Sequence, residues 1–465
     1  MKIGRTKKAG AVAMSLIISG SILLGGCAST GFDNSDILRP PRTTGDKAQI
    51  QELIEENAGG DYTLKYPKDG SYRSAIINED LDGDGIDEAI VFYKPSTDDE
   101  ATHLLFMKEL GGEWKDIGDY TSTSAEVKKV EIGDITGDGV NEVIVGWTDN
   151  AGTVCTLSAY TIGEKTTAEM KVDESCDQFL LADMTGEGKN SIMLFSLAAQ
   201  NVDANAKMLQ YDIQTKQIFT RSSVAMSNSA NSFVELKYGR ADESRSGVFV
   251  DTLSVSREGE TQFIYWDEAL STLSNPLNTQ NGTVSTNPTI RANDGIVSID
   301  INDDGIIELP TLTRMPHTSN ENIDLVAFES TWNHYNPKDN DLTPVFETVT
   351  ELELGYYFII PKEWQDSVTV RYSLFGNSLT FYLWNEQEES ESDENIRADG
   401  TLGDKLLTIQ VFTAKEWTST ENKDFIEIGD YGDRVYAVSI PSETAATKKI
   451  AMSLNKIPDY FYLIN

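Results

Sequence analysis

The 465-residue chain has few of the side chains that most enzymes use for nucleophilic or acid–base chemistry. It has only three histidines, His103, His317 and His334, and none has a triad or metal-ligand partner at a telling spacing. The GxSxG, HExxH and phosphate-loop patterns are all absent. These absences remove the usual sequence signals of serine hydrolases, zinc peptidases and P-loop nucleotide hydrolases. We therefore expect the chain not to be an enzyme.

Positive charge is also scarce. The chain has 38 Lys and Arg against 75 Asp and Glu, which gives a formal net charge of −37. A surface of this charge repels nucleic acid and anionic lipid headgroups, so we expect no nucleic-acid partner. The same charge makes self-repulsion large, and bound cations would relieve it.

Cysteine is too rare for a disulfide scaffold, because the chain has only Cys27, Cys155 and Cys176. Cys155 and Cys176 either pair, which a compartment outside the cytoplasm would favour, or serve as two small buried apolar side chains. The sequence leaves both readings open.

The N-terminus has a mostly apolar run, Ala9–Leu24, that is shorter than the ~20 apolar residues of a membrane-spanning helix. Four basic residues precede it and small residues follow it, a pattern typical of a secretory signal. The run ends in Leu24-Gly25-Gly26-Cys27, which resembles the lipobox of bacterial lipoproteins. The resemblance implies a diacylglycerol thioether on Cys27; a plain signal peptide with an unmodified Cys27 is the alternative.

This interpretation gives the first two segments of the chain and its location. Residues 1–26 are predicted to be a lipoprotein signal peptide, and residues 27–46, which contain Pro40-Pro41, a flexible tether. We expect the protein to be extracytoplasmic and anchored to the cell membrane through the lipid on Cys27, since two acyl chains make a stable anchor.

Four oxygen-rich segments of nine residues align with one another, and an apolar run follows each of them. They are numbered here as loops one to four, with positions 1 to 9 counted from the first Asp. Loop one is residues 80–88, loop two 134–142, loop three 183–191 and loop four 300–308. The steps between them are 54, 49 and 117 residues, and the last is about twice the others. We therefore predict a fifth repeat without a metal site around Tyr238–Asp251.

The residue types in these loops fit calcium, a hard cation that takes six to eight oxygen ligands. Side chains at positions 1, 3, 5 and 9 and the backbone carbonyl of position 7 would converge on one ion, and a glycine at position 6 permits the turn. The predicted ligands are Asp80, Asp82, Asp84, Ile86 and Glu88 in loop one; Asp134, Thr136, Asp138, Val140 and Glu142 in loop two; Asp183, Thr185 and Glu187 in loop three; and Asp300, Asn302, Asp304, Ile306 and Glu308 in loop four.

The sequence allows two alternatives to a calcium site in each loop. An EF-hand needs a glutamate at position 12 and flanking helices, whereas position 12 is Val91, Val145, Leu194 or Thr311 and the flanks are typical of strands. Acidic turns without an ion are the second alternative. Loop three is the weakest case, because it has only two charged ligands, Glu187 is longer than Asp, and Ser191 stands at position 9.

The loops and the strands after them resemble the FG-GAP or VCBS repeats of integrin-alpha-like β-propellers. The resemblance implies that each repeat of ~50 residues is a four-stranded blade with its ion in the loop between consecutive strands. It predicts a propeller over residues 47–350, with five repeats counted against the seven of the integrin ring. The leader and the segment Leu38–Arg42 also look like lipoproteins of Gram-positive, Clostridia-type bacteria.

The pattern changes after Glu351, and residues 351–465 are predicted to be a smaller α+β domain without a calcium loop, with a helix from Ser442 to Asn455. The fold class expected is mainly β. The function expected is a surface-anchored, calcium-binding module that binds an extracellular protein or glycan or acts as a scaffold. A calcium-dependent polysaccharide lyase or glycosidase is the alternative. It stays open because a pair of catalytic carboxylates would not stand out in the sequence among 75 acidic residues. Four aromatic side chains could either contribute to a ligand-binding face or pack in the core: Trp147, Trp266, Trp332 and Tyr335.

Overall fold

The computed structural model describes residues 45–98, 101–124, 126–149, 152, 155–278, 280–281, 284–292, 295–338, 340–373, 375, 377–386, 400–419 and 424–464. The predicted signal peptide, Cys27 and the tether up to residue 44 lie outside these residues. The chain divides into two compact units, Met1–Gln49 and Ile50–Asn465, and every sheet belongs to the second. Within the described ranges, no helix has the length and apolar character needed to cross a bilayer.

The second unit is mainly β, as predicted, and its strands form antiparallel sheets that follow one another along the chain. A helix, α1 (Asp46–Ala58), precedes them. Sheet one contains β1 (Tyr62–Leu64), β2 (Ile76–Glu79), β3 (Glu88–Pro95), β4 (Thr102–Leu110) and β5 (Glu113–Ser122). Sheet two contains β6 (Glu126–Gly133), β7 (Glu142–Thr148), β8 (Cys155–Ile162) and β9 (Thr167–Cys176). Sheet three contains β10 (Gln178–Ala182), β11 (Ser191–Ser196), β12 (Asn205–Asp212) and β13 (Gln217–Ala225).

The later sheets continue this order. Sheet four contains β14 (Ala230–Arg240), β15 (Ser246–Ser254), β16 (Glu258–Asp267) and β17 (Thr272–Ser274). A small hairpin of β18 (Gln280–Asn281) and β19 (Val284–Ser285) follows, and β20 (Arg291–Ala292) pairs with β16. Sheet five contains β21 (Leu309–Arg314), β22 (Phe328–Asn336), β23 (Asp341–Glu351) and β24 (Tyr356–Ile359). Sheet six contains β25 (Val368–Tyr372), β26 (Ser378–Glu386), β27 (Gly400–Thr413), β28 (Ile426–Tyr431) and β29 (Arg434–Ser439), with helix α2 (Ala414–Ser419) beside it. Strand β30 (Phe461–Leu463) returns to pair with β24 of sheet five.

The core is divided into layers between successive sheets. One layer joins side chains of sheets one and two, and the next layers join sheets two and three, three and four, four and five, and five and six. Because sheets two and three are covered on both faces, their second strands are almost wholly buried: every residue of β7 is buried, and so is every residue of β11 except Ser196. Helix α1 covers the outer face of sheet one with Ile50, Ile54 and Ala58. Burial at about 25 cal/mol per Å² makes these layers the main stabilising term.

The predicted boundary between residues 350 and 351 is wrong, because it falls inside β23. Sheet five takes β24 and β30 from the region that was expected to be a separate domain. The predicted helix from Ser442 to Asn455 is also wrong: this stretch is turns and irregular backbone, followed by a 3-10 helix at Leu454–Asp459. Apart from the short α2 and this 3-10 turn, the described part of residues 351–465 is built from strands, so it is not α+β.

The repeat predicted around Tyr238–Asp251 is present as the β14–β15 hairpin of sheet four. The five counted repeats therefore correspond to sheets one to five. Sheet six adds another sheet of five strands from sequence that carries no Asp-rich loop.

Candidate metal centres

Each loop lies at the start of its sheet and leads into a buried strand. Loops one, two and three join β2 to β3, β6 to β7 and β10 to β11. Loop four leads into β21, and the strand before it is reduced to one bridge between Ile299 and Glu308. The flanking elements are strands, which confirms the argument against an EF-hand.

The four loops have one backbone conformation. In each, Oδ2 of the Asp at position 1 accepts the N–H of the glycine at position 6 at 2.8–2.9 Å. That glycine has a φ of +81 to +88°, where a side chain is strained. Position 4 also has a positive φ in all four loops, including Asp303 at +57° where the others have glycine. The loops therefore share this turn and its bond to position 6 whether or not their acids are complete.

Position 9 is buried in every loop and points one oxygen inward. In the three loops with glutamate, Oε2 accepts the backbone N–H of position 2, from Leu81, Ile135 and Ile301 respectively. This bond fixes the carboxylate and leaves Oε1 facing the predicted ion position. The loops differ in the side chain that lies next to this Oε1 atom.

In loop one, the buried ammonium group of Lys108 lies beside Glu88 Oε1. Lys108 Nζ is 2.7 Å from Glu88 Oε1, at an angle outside that of a hydrogen bond, and 3.1 Å from Asp84 Oδ2; it also contacts Asp82. Burial alone would lower the pKa of Lys108, but the carboxylates of Asp82, Glu88 and Asp84 outweigh this effect and raise that pKa above its usual value. A side-chain cation thus lies among three of the predicted calcium ligands.

In loop two, no cation among the described residues pairs with the glutamate. Glu142 is fully buried, and its Oε1 has no partner at hydrogen-bonding geometry. Burial raises the pKa of Glu142 to about 7, opposed only in part by the Ile135 N–H, which donates to Glu142 Oε2, and by the nearby Thr161 hydroxyl. A buried carboxylate oxygen without a partner costs free energy that a cation would recover. Within the part of the chain that the structure describes, the buried Oε1 of Glu142 therefore has no compensating partner.

Loop three has fewer carboxylates than the other three loops. Ser191 at position 9 accepts a hydrogen bond from Gln210 Nε2 at 3.1 Å, so it is already engaged. Asp183 is bonded to the loop backbone, and the buried Thr185 Oγ1 has no partner. In loops one, two and four the aspartate at position 5 caps the N–H of position 7, which is Ile86, Val140 or Ile306.

In loop four, an imidazole meets the buried carboxylate. His334 Nε2 is 3.0 Å from Glu308 Oε1, which is also 3.1 Å from Asn302 Nδ2. Burial raises the pKa of Glu308, and the bond to His334 lowers it. Asp300 accepts the N–H groups of Asp304 and Gly305.

Two acidic groups could hold a metal ion by distance alone. Ligand atoms of Asp80, Asp82 and Glu88 in loop one lie within 4.8 Å of one another, and so do those of Asp304, Glu308 and His334. Loop two, with Thr136 at position 3, has no such group of three carboxylates among the residues described. The sequence did not indicate Lys108 or His334, because both come from the neighbouring strand rather than from the loop.

The corresponding loop of sheet four, which is predicted to carry no metal, has a side-chain cation beside its acid. Arg245 Nη1 donates to Asp242 Oδ2 at 2.8 Å, and the Asp242 carboxylate also accepts the N–H groups of Ser244 and Arg245. The turn is therefore closed without an ion.

The loops are joined to one another in a row. Asn141 N–H of loop two donates to Leu81 O of loop one at 2.7 Å, and Asn190 N–H of loop three donates to Asp134 O of loop two at 2.7 Å. Further along, Tyr238 OH donates to Asp183 O at 2.6 Å, and Ile307 N–H donates to Arg240 O at 2.8 Å. Each loop thus supports the next sheet.

A groove of about 440 Å³ lies between loop three and sheet four. Its lining includes Tyr238, Tyr265 and Trp266, and the acids Asp183 and Glu268. Of the four aromatic residues weighed as a ligand face, Trp147, Trp332 and Tyr335 are buried in the core, and only Trp266 reaches this groove. Arg221 packs over the Trp266 ring at 4.6 Å.

Cys155 and Cys176 are buried and lie directly opposite each other on β8 and β9, and they do not form a disulfide. Both lie in the layer between sheets two and three. They serve as small core side chains here, and their position also brings the two thiols together.

No protein family matches this chain, and neither does any curated protein. Among solved structures, a putative 6-phosphogluconolactonase from Bacteroides uniformis is 12% identical with a TM-score of 0.31, over 75% of this chain and 98% of that one. An exo-beta-1,3-galactanase from Phanerochaete chrysosporium is 9% identical with a TM-score of 0.29, over 82% and 89%. Sqt1 of Saccharomyces cerevisiae is 9% identical with a TM-score of 0.31, over 79% and 98%. Likeness at this level gives neither the fold nor the activity of this chain.

Proposed function

We propose that this protein is a calcium-stabilised binding module held at the outer face of a bacterial cell membrane by a lipid on Cys27. The observation that carries the calcium part is Glu142 in loop two, whose Oε1 is buried without a partner. The other predicted donors of that loop are oxygens as well: Asp134, Thr136, Asp138 and the Val140 carbonyl. An all-oxygen set suits calcium better than metals that prefer nitrogen or sulfur.

Calcium would act in this module by stabilising structure. Extracellular sites of this kind bind at about 10⁻⁴–10⁻³ M, so an ion would be present outside the cell. The sheets would then be the blades of a propeller of the FG-GAP or VCBS type, with the row of loops along one side. The row of hydrogen bonds between loops supports this role, because an ion in one loop would also steady the next sheet.

The groove beside loop three is our candidate for the ligand face. It combines two tyrosines and a tryptophan with hydroxyl and carboxylate groups, a mixture that fits an oligosaccharide or a polar protein loop. On its sheet-four side the groove is lined by Arg245, which already pairs with Asp242.

The calcium proposal is tested by thermal melting of the full chain in metal-free buffer and with 10 mM calcium. We expect calcium to stabilise it by about 1–3 kcal/mol, as mass action gives for sites of the stated affinity. Glu142→Gln should remove most of this response, and Glu174→Gln, a half-buried glutamate on β9 outside the loops, should keep it. An unchanged melting temperature in calcium would contradict the proposal.

The ligand and the anchor need separate tests. A glycan array and a pull-down with extracellular proteins should find a ligand that is lost on Trp266→Ala and kept on Phe375→Ala, an exposed aromatic residue far along the chain. Cleavage of a glycan would instead favour the enzyme alternative. Intact mass after detergent extraction should show two or more acyl chains on Cys27; the unmodified residue would exclude the anchor.

A further inference from the structure

One strand position faces the buried position 9 of every loop. The residue at position 10 begins the ladder with the next strand, pairing Ala89 with Met107 and Val143 with Tyr160. The same register pairs Ile192 with Leu209 and Leu309 with Asn333. The residue after each partner therefore lies opposite position 9. These facing residues are Lys108, Thr161, Gln210 and His334.

Each facing residue contacts position 9 of its own loop. Lys108 forms an ion pair with Glu88 at 2.7 Å. Thr161 lies close enough to Glu142 to lower the pKa of that carboxyl, but Glu142 Oε1 has no partner at hydrogen-bonding geometry. Gln210 donates to Ser191 at 3.1 Å, and His334 lies 3.0 Å from Glu308. The contact is thus a feature of the repeat, while its chemistry changes from repeat to repeat.

We propose that this facing residue selects the cation of each loop; the inference deepens the proposed calcium function and rests on it for loop two. The ammonium of Lys108 takes the place of an ion in loop one. Thr161 is small and neutral, which leaves loop two to calcium. Gln210 and Ser191 satisfy each other in loop three, which needs no cation.

His334 gives loop four a nitrogen donor beside two carboxylates. Calcium prefers oxygen, whereas zinc and cobalt accept imidazole together with carboxylate. Loop four is therefore assigned to a divalent metal of the zinc class. The Ile301 N–H holds Glu308 Oε2, so that Oε1 stays turned toward His334.

The proposal is tested by exchanging the facing residues of loops one and two in the full chain. Lys108→Thr should add one bound calcium per chain, and Thr161→Lys should remove one, both measured by calorimetric titration of metal-free protein. Lys115→Thr, a change of an exposed lysine on β5, is the control and should leave the number unchanged. Circular dichroism checks that each variant is folded.

Two results separate this inference from the calcium proposal itself. If Glu142→Gln abolishes calcium binding but neither exchange changes the calcium number in folded protein, the facing position has no selecting role. If the wild type binds no calcium but Lys108→Thr gains one, selection stands and calcium at loop two is wrong. If Thr161→Lys fails to fold, Asp82→Asn takes its place as the test. This change in loop one should leave the number of bound calcium ions as in the wild type. A loss of bound calcium would overturn the assignment of Lys108.

Loop four has an optical readout. Cobalt added to the wild type should give visible absorption bands of a low-coordinate site, and His334→Thr should abolish them while the calcium response of loop two remains. Bands that persist without His334, or a wild type without bands, would overturn the assignment of this loop.

Discussion

Loops one and two share a backbone and differ in their charge. Both place a buried glutamate under the same turn, held by the N–H of position 2 at 2.9 Å. In loop one three carboxylates surround Lys108, whereas in loop two Glu142 has no cation beside it. A repeat can therefore keep its backbone conformation whether or not a side-chain cation balances its acids. The Asp-rich pattern alone therefore indicates the backbone conformation of a loop, but it does not show whether the loop binds an ion.

The largest expected effect comes from removing the two glutamates in metal-free protein. Glu88→Gln should lower the free energy of unfolding by about 3 kcal/mol, because it leaves the buried Lys108 with a weaker partner set. Glu142→Gln should leave stability unchanged or raise it, since it removes an unpaired buried charge. Urea unfolding of both variants measures the change in the free energy of unfolding. Equal losses in the two variants would contradict the difference in charge between loops one and two.

The pH dependence should come from loop two. Because folding raises the pKa of Glu142 to about 7 from a usual 4.5, the folded state binds this proton more tightly than the unfolded state. Its contribution is fully present below pH 4.5 and is lost as the pH rises through 7, by an amount on the order of 3 kcal/mol. Metal-free unfolding at pH 5 and 7.5 should show this slope in the wild type, and Glu142→Gln should flatten it.

The shared backbone can be checked at position 6. Gly85→Ala and Gly139→Ala meet no atom within 4 Å, so the cost of each is the strain of a positive φ, about 1–2 kcal/mol. We expect equal losses in the two loops by thermal melting in metal-free buffer. A markedly larger loss in one loop would mean that the turns are not equivalent.

The smallest effect is expected in sheet four. Arg245→Gln breaks a partly exposed pair with Asp242, which is worth less than about 1 kcal/mol. It should not create a calcium response, because that loop lacks the other acids. Calcium-dependent stabilisation of this variant would contradict the view that sheet four has lost its site.

The loops, the strands after them and the extra repeat in sheet four could be read from sequence, because each is a local pattern. Lys108 could not, since it comes twenty residues after Glu88 and faces it only through the register of β3 and β4. The boundary after residue 350 failed for a related reason. Composition changes there, but strand pairing does not, and β30 joins β24 from about a hundred residues away. Pairing between distant segments has no signature in a short window.

The hydrogen bonds between loops have a direction: position 8 of loops two and three donates to the loop before it. A repeat cut out alone would keep its acids but lose the neighbour that orients the residue between positions 7 and 9. Metal affinity is then a property of adjacent repeats rather than of a nine-residue peptide. A synthetic loop-two peptide would be a poor mimic, and the smallest faithful fragment must include the sheets on both sides.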